Sequence, residues 1–342
     1  MSAAGIMFRA MRHPPAMPLS AVTALLLVAA LCSGCNVIAW QQRRLEHRFR
    51  DAGFKQGTVT LERGKTTVGY WAGGRGPAVL LIHGFGASAI WQWYQQIEVL
   101  AARHRVIVPD LLWFGASSSR RADHSLAHQV QAVVGLLDHL GQRRVHVVGI
   151  SYGGLVAYEL ARAHPHRVER LVMVDSPGPV YTRADYKLLC ARFKVRHIGE
   201  VLVPTDPAGV QVLMDLAYHD PDYAPAWVRR QVVGTLYSRY RREKVALVDD
   251  MLQDMGRLTA RPITMTAPTL IVWGKQDPVF PLELAWRLSA RLGGRARLEV
   301  IDRARHAPNL EHPEAFNRLV VPFLRAGRVR RPAAGSARPV AP

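Results

Sequence analysis

The chain has 342 residues, 49% of them hydrophobic, enough for one large core with an insertion or for two small domains. Its 45 lysines and arginines against 26 acidic residues give a net charge of +19, but only six of the basic residues are lysine. The basic residues are scattered along the chain rather than interleaved with aromatics, and no nucleic-acid recognition motif accompanies them. Cys32, Cys35 and Cys190 are too few for a disulfide scaffold, and no cysteine or histidine cluster has zinc spacing.

At the N-terminus, Arg9 and Arg12 precede an uncharged run whose apolar heart is Ala21–Leu31, followed by Cys32, Ser33, Gly34 and Cys35. Basic, apolar, then small residues is the order of an export signal. Ser33-Gly34-Cys35 resembles the bacterial lipoprotein cleavage box, with Cys32 where leucine usually stands, and implies lipidation at Cys35. An acylated Cys35 could form no disulfide and would leave Cys190 as an unpaired thiol. Two alternatives stand beside this. No formal charge separates Arg12 from Arg43, so residues 1–35 are long enough to remain as a membrane anchor. Simple cleavage and secretion is the other. All three place the globular part outside the cytoplasm, and the first two attach it to a membrane.

Residues 36–55 read as a charged tether or short helix. Thr58–Glu62 and Thr67–Trp71 alternate like paired antiparallel strands around Arg63, Gly64 and Lys65. From Pro77 onward the pattern becomes strand, loop, helix. Ala78–Ile82, Arg105–Val108, Arg144–Gly149, Arg170–Val174, Thr269–Trp273 and Leu298–Ile301 are short apolar runs suited to strands buried on both faces. Helical stretches at about 89–102, 124–141, 152–163, 281–292 and 311–325 separate most of them. Between Ser176 and Pro268 the alternation stops. Amphipathic segments at Arg183–Val195, Ala208–Tyr218 and Ala226–Met255, punctuated by prolines, read as an inserted helical cap over the C-terminal strand ends. The expected organisation is a core of 56–176 and 266–326, a cap of 177–265 and a disordered 327–342 tail.

Chemistry concentrates at the strand ends. Gly149, Ile150, Ser151, Tyr152 and Gly153 form a G-x-S-x-G between a strand and a helix, a corner that exposes a serine hydroxyl. A serine needs a base, and the base an orienting acid. Asp277 follows the Thr269–Trp273 strand and His306 the Leu298–Ile301 strand, in the order Ser, acid, His. Asp175 is the alternative acid, and His312 the rival base. His83, Gly84, Phe85 and Gly86 end the Ala78–Ile82 strand, where the Phe85 N–H, with that of Tyr152, could form an oxyanion hole. His83 reads as a support for that loop, His146 as a core histidine and Asp110 as a loop cap. Ser117, Ser118 and Ser119 read as solvated loop residues. Trp91, Trp113 and Phe114 are candidates for an apolar substrate pocket, with a core role as the alternative.

Over residues 55–326 these motifs resemble the α/β-hydrolase fold, in its cap-bearing group of esterases, monoacylglycerol-type lipases and carbon–carbon bond hydrolases. The motifs are His83–Gly86, Gly149–Gly153, Trp273–Asp277–Pro278 and His306–Ala307–Pro308 with Glu311 and Pro313. The resemblance implies an α/β architecture with a mostly parallel eight-stranded sheet, flanking helices and an inserted helical cap. It also implies a serine hydrolase cleaving carboxylic esters through an acyl-enzyme, without cofactor or metal, on a small-molecule ester or acylglycerol. The alternatives are a carbon–carbon hydrolase of the meta-cleavage type and a non-catalytic ligand-binding protein. Two positions depart from the family pattern: Trp113 and Arg305 stand where glycine is common.

Overall fold

The computed structural model describes residues 36–325 apart from Ala87, Asp222 and Thr264. The expected export signal, Cys35 and the 327–342 tail lie outside the described residues. Among the described residues no helix is long and apolar enough to cross a membrane.

The chain enters through helix α1 (Val37–Asp51), capped by the Asn36 side chain, and turns into β1 (Lys55–Leu61) and β2 (Thr66–Gly73). Then come β3 (Ala78–Ile82), helices α2 (Ala89–Trp93) and α3 (Ile97–Ala101), β4 (Arg105–Pro109) and the two-residue β5 (Ser118–Ser119). Helix α4 (Leu126–His139) leads to β6 (Val145–Ile150), α5 (Tyr152–Ala163) and β7 (Val168–Val174). The expected helical insertion follows as α6 (Arg183–Phe193), α7 (Gly199–Leu202), α8 (Pro207–Ala217), α9 (Ala226–Val232) and α10 (Arg241–Thr259). The chain returns through β8 (Thr269–Gly274), α11 (Leu282–Leu292), β9 (Ala296–Ile301), α12 (Pro308–Glu311) and α13 (Pro313–Arg325).

The strands form one sheet in the order β1-β2-β4-β3-β6-β7-β8-β9. β1, β2 and β4 pair antiparallel, and every pairing from β4 through β3 to β9 is parallel. Alternation along the buried strands divides the interior in two. Leu80, Ile82, Val147, Leu171, Met173, Ile271 and Trp273 pack with α4, α5, α11 and the cap. Val79, Leu81, Val148, Ile150, Val172, Val174 and Val272 pack on the other face with α1, α2, α3 and α13. Burying each such Val, Leu or Ile contributes about 1.5–3 kcal/mol over leaving it in water, which is why these runs carry no polar side for solvent.

Two expectations are corrected. The sheet has a ninth strand among the described residues, because Ser118 and Ser119 pair with Thr67 and Thr66 of β2. Their neighbour Ser117 is buried, donating to the Asp110 carbonyl and accepting from the Gly69 N–H, so this stretch is not solvated loop. The segment expected as one helix over 226–255 is broken. After a π turn at Val233–Tyr237, Tyr240 adopts a left-handed φ of 57° before α10 begins. The buried Lys244 ammonium bridges the break by donating to the Leu236 carbonyl, against the faces of Phe114 and Tyr237.

Candidate active site

Ser151 sits where β6 turns into α5, with φ 55° and ψ −123°. That strained corner survives because the residues two places either side, Gly149 and Gly153, have no side chains. A Cβ on Gly149 would lie 2.3 Å from the Gly153 carbonyl oxygen, and one on Gly153 the same distance from that of His83. The Ser151 N–H donates to the Val174 carbonyl, tying the corner to the adjacent strand end. Tyr152 opens α5, so its N–H has no acceptor within the helix.

The loops after β8 and β9 bring the other two groups to this corner. Asp277 Oδ1 accepts from the Val279 and Phe280 N–H groups at 2.7 and 3.1 Å, which fixes the carboxylate. Its Oδ2 accepts from His306 Nδ1–H at 2.8 Å, leaving His306 Nε2 to accept from the Ser151 hydroxyl at 2.9 Å. A carboxylate accepts only, so the chain of partners assigns the tautomer. The Asp277 side chain is fully buried, whereas that of His306 keeps 17% exposure toward the cavity. Asp175, the alternative acid, ends β7 beneath this pair with a left-handed φ of 42°. Its Oδ1 accepts from the Gly274 N–H. Burial, reinforced by the Asp277 charge, raises its carboxyl well above the ordinary range. The acid partner of His306 is Asp277, while Asp175 is engaged with the Gly274 N–H. The rival base His312 pairs instead with the Arg303 carbonyl.

The His83–Gly86 loop borders the same corner. His83 Nδ1–H donates to the Gly84 carbonyl while Nε2 accepts from the Leu111 N–H, and Phe85 packs edge-on against Tyr152 and Phe114. Burial pushes the His83 imidazole down to about 4, so it stays neutral and structural. Protonation then favours the unfolded chain, whose imidazole titrates near 6.5. The His83 contribution is complete above pH 6.5 and is lost as pH falls toward 4, up to about 3 kcal/mol. Replacing His83 with Gln is expected to flatten that part of the stability profile, measured by urea unfolding at pH 7.5, 5.5 and 4.5. Asp110 and His146 also titrate in this window, but wild type and variant share them. Parallel profiles would refute the assignment.

Ser151 opens on a cavity of about 690 Å³ bounded by the His83–Gly86 loop, the His306 loop and the cap. A second, apolar void of about 30 Å³ lies on the other side of Ser151, against Tyr181, Met255 and Phe280. The cap side of the larger cavity is mostly apolar, with Leu202, Val210, Leu213, Met214 and Val232, and carries His219 and Asp220 at one edge. Cap and histidine loop are joined directly. Backbone N–H groups of His306 and Ala307 donate to the Leu216 and Ala217 carbonyls at 3.4 and 3.1 Å. Glu311 accepts from the His219 N–H at 2.5 Å and from the Arg305 N–H at 2.6 Å, and the Arg305 guanidinium donates to the Asp215 carbonyl.

Residues 79–319 match the model of the alpha/beta hydrolase family. The chain belongs to that family. Among curated relatives of this hydrolase, 2-hydroxymuconate semialdehyde hydrolase of Pseudomonas putida is 31% identical over 265 residues, covering 73% of this chain and 88% of its own. Among solved structures, a putative lipase of Acinetobacter baumannii superposes with a TM-score of 0.70 at 26% identity, covering 83% of this hydrolase and 95% of its own chain. A membrane phospholipase A described as a bacterial virulence factor gives 0.68 at 25% identity, covering 90% and 99%.

Of the three aromatic candidates for the hydrolase's pocket, Trp91 lines the cavity. Trp113 and Phe114 do not. Both are buried beneath the His83–Gly86 loop, Trp113 tilted against His124 at 4.5 Å and Phe114 edge-on to His83 and Phe85. Trp113 has a left-handed φ of 68°, which accounts for the glycine common at that position and turns the indole away from the cavity. The remaining departure, Arg305, anchors the cap through Asp215. The cap residues of the wall were not singled out from sequence. The apolar period of 208–218 marked a buried face but not what it covers.

Proposed function

We propose that this hydrolase is a serine carboxylesterase or lipase acting on esters with a bulky apolar portion, outside the cytoplasm and held at a membrane through its N-terminus. The observation that carries the reading is the hydrogen-bonded Ser151–His306–Asp277 chain opening onto a large, largely apolar cavity. Ser151 Oγ attacks the ester carbonyl while His306 Nε2 takes its proton, and Asp277 stabilises the imidazolium. The Phe85 and Tyr152 N–H groups hold the oxyanion, each such donor being worth about 3–4 kcal/mol. As the tetrahedral intermediate collapses, the C–O bond breaks and His306 returns the proton to the leaving alkoxide. Water, deprotonated by the same imidazole, then releases the acid. The scheme draws on no metal or cofactor.

The likeness to 2-hydroxymuconate semialdehyde hydrolase supports a second reading, in which the same three residues cleave a carbon–carbon bond. Such a substrate carries a carboxylate, which calls for a cation. Arg303 is the one lysine or arginine among the described residues lining the cavity, and it is exposed, which favours the uncharged ester. A panel of short esters, long acylglycerols and meta-cleavage products decides between the two. Acylglycerols should be turned over with the highest kcat/KM, and preference for the ring-cleavage products would reverse the order. A fluorophosphonate probe should label Ser151. An unlabelled serine would favour the ligand-binding alternative.

A further inference from the structure

Helix α1 buries Ile38, Leu45 and Phe49, and turns a stripe at i, i+3, i+4 and i+7 to solvent: Trp40, Arg43, Arg44 and His47. Its first turn is fastened to the cap. Asn36 Nδ2 donates to Thr235 Oγ1 and the Val37 N–H to Gln231 Oε1, while Ile38 packs with Ala224 and Val228. Helix α9 and the segment just before it show solvent a matching stripe. Tyr223, Trp227 and Arg230 are exposed, with Trp227 one turn before the Gln231 that receives α1. The three aromatics are 46%, 69% and 48% exposed in the order Trp40, Tyr223, Trp227, high values for side chains of that size. Among the described residues the acids nearest these positions are Glu46, paired with Arg50, and the exposed Asp51 and Asp220 at the margins. Arginines interleaved with exposed tryptophan and tyrosine suit the interface of an anionic bilayer, where ring and guanidinium meet headgroup and phosphate.

Two further facts single out that occupant. The chain before Asn36 carries no formal charge back to Arg12 and contains the apolar run Ala21–Leu31, four residues short of Asn36. Whether by a lipid at Cys35 or by that run, attachment falls at the edge of this patch. Beneath the patch, Trp91, Met214 and Val232 belong both to the apolar cluster under α1 and α9 and to the wall of the large cavity. The Trp91 indole N–H donates to Gln42 of α1. The elements that carry the docking surface and the wall of the cavity therefore meet in one apolar cluster.

We propose that the exposed face of α1 and α9 seats on anionic phospholipid headgroups, so that an ester leaving the bilayer passes Trp91, Met214 and Val232 to reach Ser151. The cargo rests on the ester reading given above, and the seating on the N-terminal membrane attachment proposed with it. The test compares the full chain with a Trp40→Ser/Tyr223→Ser/Trp227→Ser variant on an acylglycerol carried in phosphatidylglycerol vesicles and on soluble p-nitrophenyl butyrate. The variant is expected to lose about tenfold or more on vesicles and to keep its rate on the soluble ester. Trp286→Ser, an exposed tryptophan on α11 across the sheet, should leave both unchanged. An unchanged vesicle rate in the triple variant, or equal losses on both substrates, would overturn the proposal. Seating is also read without turnover, in the Ser151→Ala background, from tryptophan quenching by brominated phosphatidylglycerol. Quenching should weaken when the three aromatics are replaced, and equal quenching would refute the seating whatever the enzyme hydrolyses.

Discussion

Replacing Ser151 with alanine is expected to lower kcat for ester hydrolysis by about 10⁶-fold, the scale seen when the nucleophile of such a triad is removed. The substitution deletes one oxygen whose partner is His306 Nε2 and leaves the strained corner, its Val174 hydrogen bond and the surrounding packing in place. Thermal stability should therefore stay within the small range of a surface change. The measurement is turnover of p-nitrophenyl esters beside a melting curve. Residual activity within a hundredfold of wild type would sink the mechanism.

The second large effect is expected at Asp277. Asparagine there keeps Oδ1 as the acceptor for the Val279 and Phe280 N–H groups, so the loop should hold its shape. In place of Oδ2, however, it turns an N–H₂ toward His306 Nδ1. The imidazole must then carry its proton on Nε2, where it can no longer take one from Ser151. A loss of about 10⁴-fold in kcat follows from the wrong tautomer. Asp175 supplies the control. It lies buried beside Asp277 with Oδ1 occupied by the Gly274 N–H, and burial, reinforced by the Asp277 charge, raises its carboxyl well above the ordinary range. Asp175→Asn should cost far less than Asp277→Asn. Near-equal losses would mean that the two carboxyls act as one unit.

The elbow and the strand ends were legible because each is dictated locally. Gly149 and Gly153 have no space for a side chain, and a five-residue apolar run such as Ala78–Ile82 has no polar face to offer solvent. Asp277 and His306 could be picked because parallel strands deliver their C-terminal loops to one edge, where the structure joins them to Ser151. What escaped depends on contacts distant in sequence. Trp113 looked like a pocket aromatic from its composition alone, but its left-handed backbone aims it at His124. The break at Tyr240, bridged by Lys244 reaching back to Leu236, leaves no mark in the periodicity. Ser117 looked solvated until β2 and Asp110 enclosed it. The wall formed by Val210, Leu213 and Met214 required knowing which loop the cap would meet.

That meeting has a dynamic consequence. Residues 215–219 of the cap and residues 305–311 around the base are stitched together by two backbone bonds, the Glu311 carboxylate and the Arg305 guanidinium. A cap that swings outward must either break these bonds or carry His306 with it. The position of the base is thus tied to the position of the cap for as long as these bonds hold.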